Sequence, residues 1–404
     1  MARERAKHVG IRALAWIVVV VIVAVLAAQW FRPVPAPAFV STVPPLVHLP
    51  GPRPALPFPP SGASALVAVG AGSLGHGGAT TPVPIAGLTK VMTAYVVLLD
   101  HPLAPGDDGP PIRVTPQIMA ASQQQQAAQQ SVVPMAAGEI LSELQALQGL
   151  LVAQGNNVAT LLTAWDATTT GAFVAKMNHT ARALGLRSTT FTDANGVAPG
   201  SVSTPGDMIR LGEAAMAVPV FRQVVGMPQA TLPLAGTVYN FDYDLGHDGF
   251  VGIKTGSDNA AGGCFLFEAQ HTVGGTTVSV MGAVLGESGT SPLTAALYDA
   301  DILVRAAFAS LASIPVVPAG QHVGQLVAAW GRSVPVTAAP SAVVGWPGLV
   351  ARVQARTAQV SRGIGPGSTV GVFTIQLGDQ RVSVSLQTSR ALAGPSTVWR
   401  LTRL

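Results

Sequence analysis

At 404 residues the chain is longer than one typical domain, so two folded units with extensions are expected. Only 10% of its residues are charged and 49% are hydrophobic, so the formal charge of +4 reflects scarce ionisable groups rather than a basic patch, and no nucleic-acid footprint is present. A single cysteine, Cys264, excludes an internal disulfide and reads as a small buried hydrophobe.

Arg3, Arg5, Lys7 and Arg12 form a basic tail over residues 1–12, followed by an apolar run over 13–31 whose only polar residue is Gln29. That run is long enough for one membrane-spanning helix, with its basic flank in the cytoplasm. It exceeds a usual signal core and no clean small-x-small site follows, which favours an uncleaved anchor with everything beyond Arg32 on the extracytoplasmic side. Residues 32–61 are proline-rich, apart from a gap at Phe39 to Val43, so no packed element is expected there. Fully extended, this linker would reach roughly 90 Å.

A main domain is expected over 62–312. It opens with a strand at Ala65 to Val69, and then a buried helix starts at Pro84 and carries Lys90 into a cavity three residues after Gly87. A glutamine-rich segment between Val114 and Gly138 reads as a solvated helix or loop, with Ser122 and Ser131 as surface serines. Ile140 to Trp165 has helical spacing on both sides of the polar block Gln154-Gly155-Asn156-Asn157. Further helices are expected over 173–184, ending at Gly185, and from Thr204 onwards. The run Gly249 to Gly256 leads into an edge strand, followed by strands at 262–267 and 278–284 and a closing helix over 292–309. Helices mixed with consecutive strands indicate an α+β domain rather than alternating βαβ units. Residues 313–404 change to short alternating strands, with a two-residue hairpin about Gly378-Asp379, and form a separate small β-rich domain.

Three pieces carry the chemistry: Gly87-Leu88-Thr89-Lys90, Gln154-Gly155-Asn156 and Lys254-Thr255-Gly256. Together they resemble the Ser-x-x-Lys, Ser-x-Asn and Lys-Thr-Gly set of penicillin-recognising serine enzymes. The flanking stretches Pro-Ile-Ala-x-Leu-Thr-Lys-Val-Met-Thr-Ala, Leu-Leu-Val-Ala-x-Gly-Asn, Phe-Val-Ala-Lys-Met-Asn, Ser-Thr-Pro-Gly-Asp-Met and Gly-Ile-Lys-Thr-Gly narrow the resemblance to the D-alanyl-D-alanine carboxypeptidases. It covers roughly residues 62 to 310.

The resemblance implies a β-lactamase/transpeptidase-like fold: a five-stranded antiparallel sheet flanked by helices, an all-helical lobe with the active site between them, and a β-rich domain after it. It also implies trimming of peptidoglycan stem peptides at D-Ala-D-Ala through a serine acyl-enzyme, the same serine being acylated by β-lactams. Here Gly87 takes the place of that serine and Gln154 the place of the second-motif serine. Lys90, deprived of its partner, offers charge and hydrogen bonds, while Asn156 retains a donor and an acceptor for a substrate amide. Lys254 and Thr255 match the residues that hold the terminal carboxylate, Gly256 admits a close ligand approach, and the oxyanion-hole NH groups correspond to Gly87 and Ser257.

In serine proteases, loss of the nucleophile costs about 10⁶ in turnover. The favoured reading is therefore a membrane-anchored pseudoenzyme that binds stem peptides, β-lactams non-covalently, or a cell-wall protein. The alternatives are an active carboxypeptidase with a non-standard nucleophile and a ligand-free scaffold. Thr89 lies about 200° around the helix from Gly87 and should face away from the cavity. No cofactor is implied, and His247 beside Asp242, Asp244 and Asp248 lacks zinc spacing and reads as a solvated loop.

Overall fold

The computed structural model describes residues 2–318, 320–358 and 363–403, which fall into two compact units: 53–312, and 1–52 together with 313–404. The first unit is built on a five-stranded antiparallel sheet with the spatial order Phe250–Asp258, Gly262–Val273, Thr276–Glu287, Ala63–Ala68, Gly72–Gly78. Cys264, Phe265, Leu266 and Phe267 are all fully buried. Consecutive strand residues face opposite sides, so both faces of the sheet centre are covered, and the helices Pro205–Met216 and Pro292–Ser310 pack against it. The Lys-Thr-Gly strand, Phe250–Asp258, is an edge strand as expected, and its outer side is free to meet the helical lobe.

That lobe contains the helices Thr89–Asp100, Pro116–Ala127, Glu143–Leu151, Asn156–Asp166 and Thr170–Ala183. Its first helix differs from the sequence expectation at its start. Pro84 lies in a two-residue strand paired with Val202–Ser203, and a 3-10 turn, Ala86–Leu88, precedes the α-helix. Gly87 thus sits on a tight turn rather than within a regular helix.

The break between Glu143–Leu151 and Asn156–Asp166 is organised by Asn157. Its buried side chain donates to Val133 O (2.7 Å) and Ser122 Oγ (2.9 Å) and accepts from Val133 N (2.9 Å). Ser122 is therefore a buried partner of Asn157 and not the surface serine expected from its glutamine-rich neighbours. Gly155 completes the junction, since a β-carbon there would come within 2.8 Å of both Val133 and Val158.

The second unit corrects the reading of the proline-rich linker. Its seven-stranded sheet runs Ala38–Ser41, His322–Val327, Ser333–Ala338, Gln380–Thr388, Thr369–Leu377, Val350–Thr357, Leu46–His48. Both outermost strands come from the linker and form in proline-free intervals, where every backbone NH remains able to pair. They pair in register as Ala38↔Val327 and His48↔Val350. Only residues 42–45 connect these two outer strands, so the sheet curls to bring its edges near each other. The hairpin about Gly378-Asp379 forms as read, with Leu377 opposite Gln380 and Gly378 at φ +57°. The helix Ala2–Phe31 precedes this sheet, and its Arg12–Phe31 portion is long and apolar enough to cross a membrane, at about 30 Å for 20 residues.

Replacing Asn157 by Ala leaves the Val133 backbone groups and the Ser122 hydroxyl without their partner. The expected cost is about 3 kcal/mol, read as a lowered urea midpoint for the main unit.

Candidate active site

The 3-10 turn, the loop before Asn156 and the edge strand Phe250–Asp258 converge on an open cleft of about 710 Å³. Six of the residues singled out in the sequence line it: Gly87, Lys90, Gln154, Asn156, Gly256 and Ser257. Lys254 and Thr255 are brought to the same place but lie behind the wall, each 1% exposed. Thr89 is fully buried and is absent from the lining, as its helical position required.

The strand meets the turn at van der Waals limits. A β-carbon on Gly256 would stand 2.6 Å from Gly87 N and 3.0 Å from Gly87 Cα, so only glycine permits this approach. A β-carbon on Gly87 would in turn stand 3.2 Å from Thr255 O and 3.2 Å from Gln154 Oε1. The Gln154 carboxamide therefore occupies the space in front of Gly87. Its Nε2 donates to Thr255 Oγ1 (2.8 Å) and to Thr255 O (3.1 Å), which seals Thr255 from the cleft.

Two lysines reach this wall from different elements. Lys90 Nζ donates to Asn195 O (2.7 Å), and burial pushes its pKa down to about 8 against the opposing pull of Asp193 and Asp258. Lys254 Nζ donates to Thr255 O (3.0 Å). Burial first, and the charge of Lys90 second, hold its pKa well below the ordinary lysine value, with Asp242 opposing. Asp242 is itself buried, and its carboxyl is raised to about 7 by burial and by Asp244. Asn156 Oδ1 is buried without a hydrogen-bond partner, and its Nδ2 makes a long contact of 3.4 Å with Gln130 Oε1.

Backbone strain gathers here as well. Among the described residues, four that are not glycine have positive φ, and Ala86 (+44°), Gln129 (+58°) and Gln154 (+62°) all line the cleft. Each such conformation costs of order 1 kcal/mol or more and persists only where the surroundings impose it.

Sequence reasoning missed several members of the site. Asn195 supplies the carbonyl that holds Lys90, while Gln130, Ser131, Phe241 and Leu293 complete the lining. They come from loops and from a helix start that carry no local motif. For Asn195 the local signal is the Asp-Ala-Asn-Gly string at 193–196, whose Gly196 at φ +79° passes so close to Ala86 O that no β-carbon fits, while Ser131 was read only as a surface serine.

The fold is that of the DD-transpeptidases. A Streptomyces DD-transpeptidase crystal structure superposes with a TM-score of 0.55 at 27% identity, over 64% of this chain and 100% of that one. A D-alanyl-D-alanine carboxypeptidase from Francisella tularensis shares the fold over 86% of this chain and 96% of its own, with a TM-score of 0.56 at 19% identity. The Peptidase S11 model, D-alanyl-D-alanine carboxypeptidase, matches residues 67–287, and the chain belongs to that family.

Among curated relatives, a D-alanyl-D-alanine carboxypeptidase of Streptomyces is 31% identical over 217 residues, 50% of this chain and 71% of the relative. The carboxypeptidase DacB2 of Mycobacterium tuberculosis is 34% identical over 163 residues, covering 38% of this chain and 54% of the relative. The match thus spans about half the length of the mycobacterial protein.

Gly256→Ala should force the edge strand away from the 86–88 turn. The expected loss is about 1–3 kcal/mol of stability in urea unfolding.

Proposed function

We propose that this chain is a non-acylating member of its family, anchored in the membrane by residues 13–31 with both units on the extracytoplasmic side, which binds D-Ala-D-Ala-terminated stem peptides of peptidoglycan. The observation that carries this reading is the pairing of Gly87 with Gln154: the nucleophile's side chain is missing and a carboxamide fills its space. The acylation step needs a hydroxyl that attacks the ligand's carbonyl while Lys90 takes its proton. Without it, Lys90 serves as a buried charge. Thr89 is removed as a substitute nucleophile by its burial away from the cleft.

Recognition rests on groups that remain. Asn156 has an unpaired Oδ1 to accept from a ligand amide NH. The backbone NH groups of Gly87 and Ser257 are the donors for the ligand's carbonyl oxygen. Lys254 and Lys90 supply positive potential for the terminal carboxylate, and the Thr255 hydroxyl reaches that carboxylate once Gln154 swings aside. β-Lactams enter the same cleft without forming a covalent bond.

Fluorescent penicillin tests the reading directly. The natural chain should give no covalent band. Gly87→Ser alone should stay almost unlabelled, because the Gln154 carboxamide crowds the new hydroxyl, whereas Gly87→Ser with Gln154→Ser should gain a band. A band on the natural chain would overturn the proposal.

Calorimetry with an acyl-D-Ala-D-Ala peptide tests binding. A bound carboxylate favours the charged form of Lys90, so binding takes up protons near pH 8, and affinity falls above that pH by at most about tenfold per unit for one proton. Stability of the free protein moves the other way. The unfolded chain keeps that lysine proton up to its ordinary value of 10.5, so stability rises between about pH 8 and 10.5.

A further inference from the structure

The formal charge of the whole chain conceals a segregation. Residues 53–312 carry ten Lys and Arg against seventeen Asp and Glu, whereas residues 313–404 carry eight Arg, no Lys and one acidic residue, Asp379. The excess of basic over acidic residues is thus concentrated in the second unit.

Within that unit the two ends of the chain are clamped together. The short C-terminal helix Thr397–Thr402 packs on the last turn of Ala2–Phe31. Gln29 Nε2 donates to Arg403 O (3.0 Å), and the Arg403 guanidinium donates to Gln29 O (3.1 Å), Pro33 O (3.1 Å) and Arg32 O. A cation thus caps carbonyls left unpaired at the helix C-terminus. Three tryptophans meet at this point. Trp330 and Trp399 stand edge to face at 5.9 Å, Trp399 lies under Arg403, and Trp30 lies under Arg400 at 5.4 Å. Arg32 and Arg332 are exposed beside them. Tryptophan with arginine, at the level where an apolar helix ends, is the composition of a membrane–water interface. No acidic side chain of residues 32–52 or 313–404 other than Asp379, in the distant hairpin turn, opposes the positive field.

We propose that this basic, tryptophan-rich surface of the second unit rests on the leaflet from which the helix emerges and binds the anionic phosphate headgroups of its phospholipids. The proposal rests on the anchor reading above. It makes the second unit a platform held at the bilayer at both chain ends, the helix supplying apolar attachment and Arg332, Arg400 and Arg403 the electrostatic part.

The test uses the full chain in nanodiscs of phosphatidylcholine alone, or of phosphatidylcholine and phosphatidylglycerol in equal parts, followed by hydrogen exchange. Amides over 329–332 and 397–403 should exchange at least about fivefold more slowly in the anionic discs, the factor one arginine near an anionic surface contributes. Arg332→Gln with Arg400→Gln should abolish that difference. Equal exchange in the two lipids, or a lipid dependence that survives the double substitution, overturns the proposal, as does equal slowing by inorganic phosphate added to neutral discs. Protection of residues 12–31 reports the anchor separately. With that protection present, a missing lipid dependence overturns this proposal alone, whereas free exchange there overturns the anchor and this proposal together.

Discussion

The site depends on the approach of one strand to one turn. Gly256 and Gly87 pass so closely that neither position has ordinary room for a side chain, and everything in the cleft takes its place from that contact. It brings the Lys-Thr-Gly strand, an edge of the sheet, against the first turn of the helical lobe, and so places Lys254 where the charge of Lys90 is felt. It also explains the strain at Ala86, which must turn through a left-handed conformation to deliver Gly87 to the strand. An edge strand is the only part of a sheet able to do this, because its outer side has no neighbouring strand.

Within that frame, Gly87 and Gln154 complement each other in space. Gly87 has no side chain, and the Gln154 carboxamide lies beside it and bonds to Thr255. The result is a filled wall rather than a void, which avoids the penalty of an empty polar cavity. Gln154 holds φ +62° to do so, a conformation in which glycine or asparagine would be more comfortable. Burial depresses the Lys90 pKa to about 8 even though its neighbour Gly87 offers it no hydroxyl.

Much of both units was legible in the sequence because their signals are local. The helix stop at Gly185, the Thr204 cap on Asp207 N, the hairpin at Gly378-Asp379 and the ordered motifs each lie within a few residues. Ser122 was misread because its partner Asn157 is 35 residues away. The proline-rich linker was misread for the same reason: proline spacing argues against a helix or a central strand, yet short edge strands need only a partner, here nearly 290 residues distant for Ala38 and about 300 for His48. Whole-chain charge misled in another way, since opposite excesses in two units nearly cancel.

The sequence by itself determined the α+β class, the order of the motifs, the presence of Gly87 and Gln154 within them and that of a span-length apolar helix. These follow from residue identity and short-range periodicity. Only the tertiary structure decided that the Gln154 amide stands beside Gly87 and bonds to Thr255, that Lys90 and Lys254 share one buried wall, and that the linker supplies both outer strands of a sheet in the unit whose chain ends are clamped by Arg403. Each of these joins residues more than sixty positions apart, and the free energy that brings them together comes from burial of the whole core rather than from any local preference. The glycine at 87 is therefore readable in the sequence, and its contacts with Gln154 and Gly256 only in the fold.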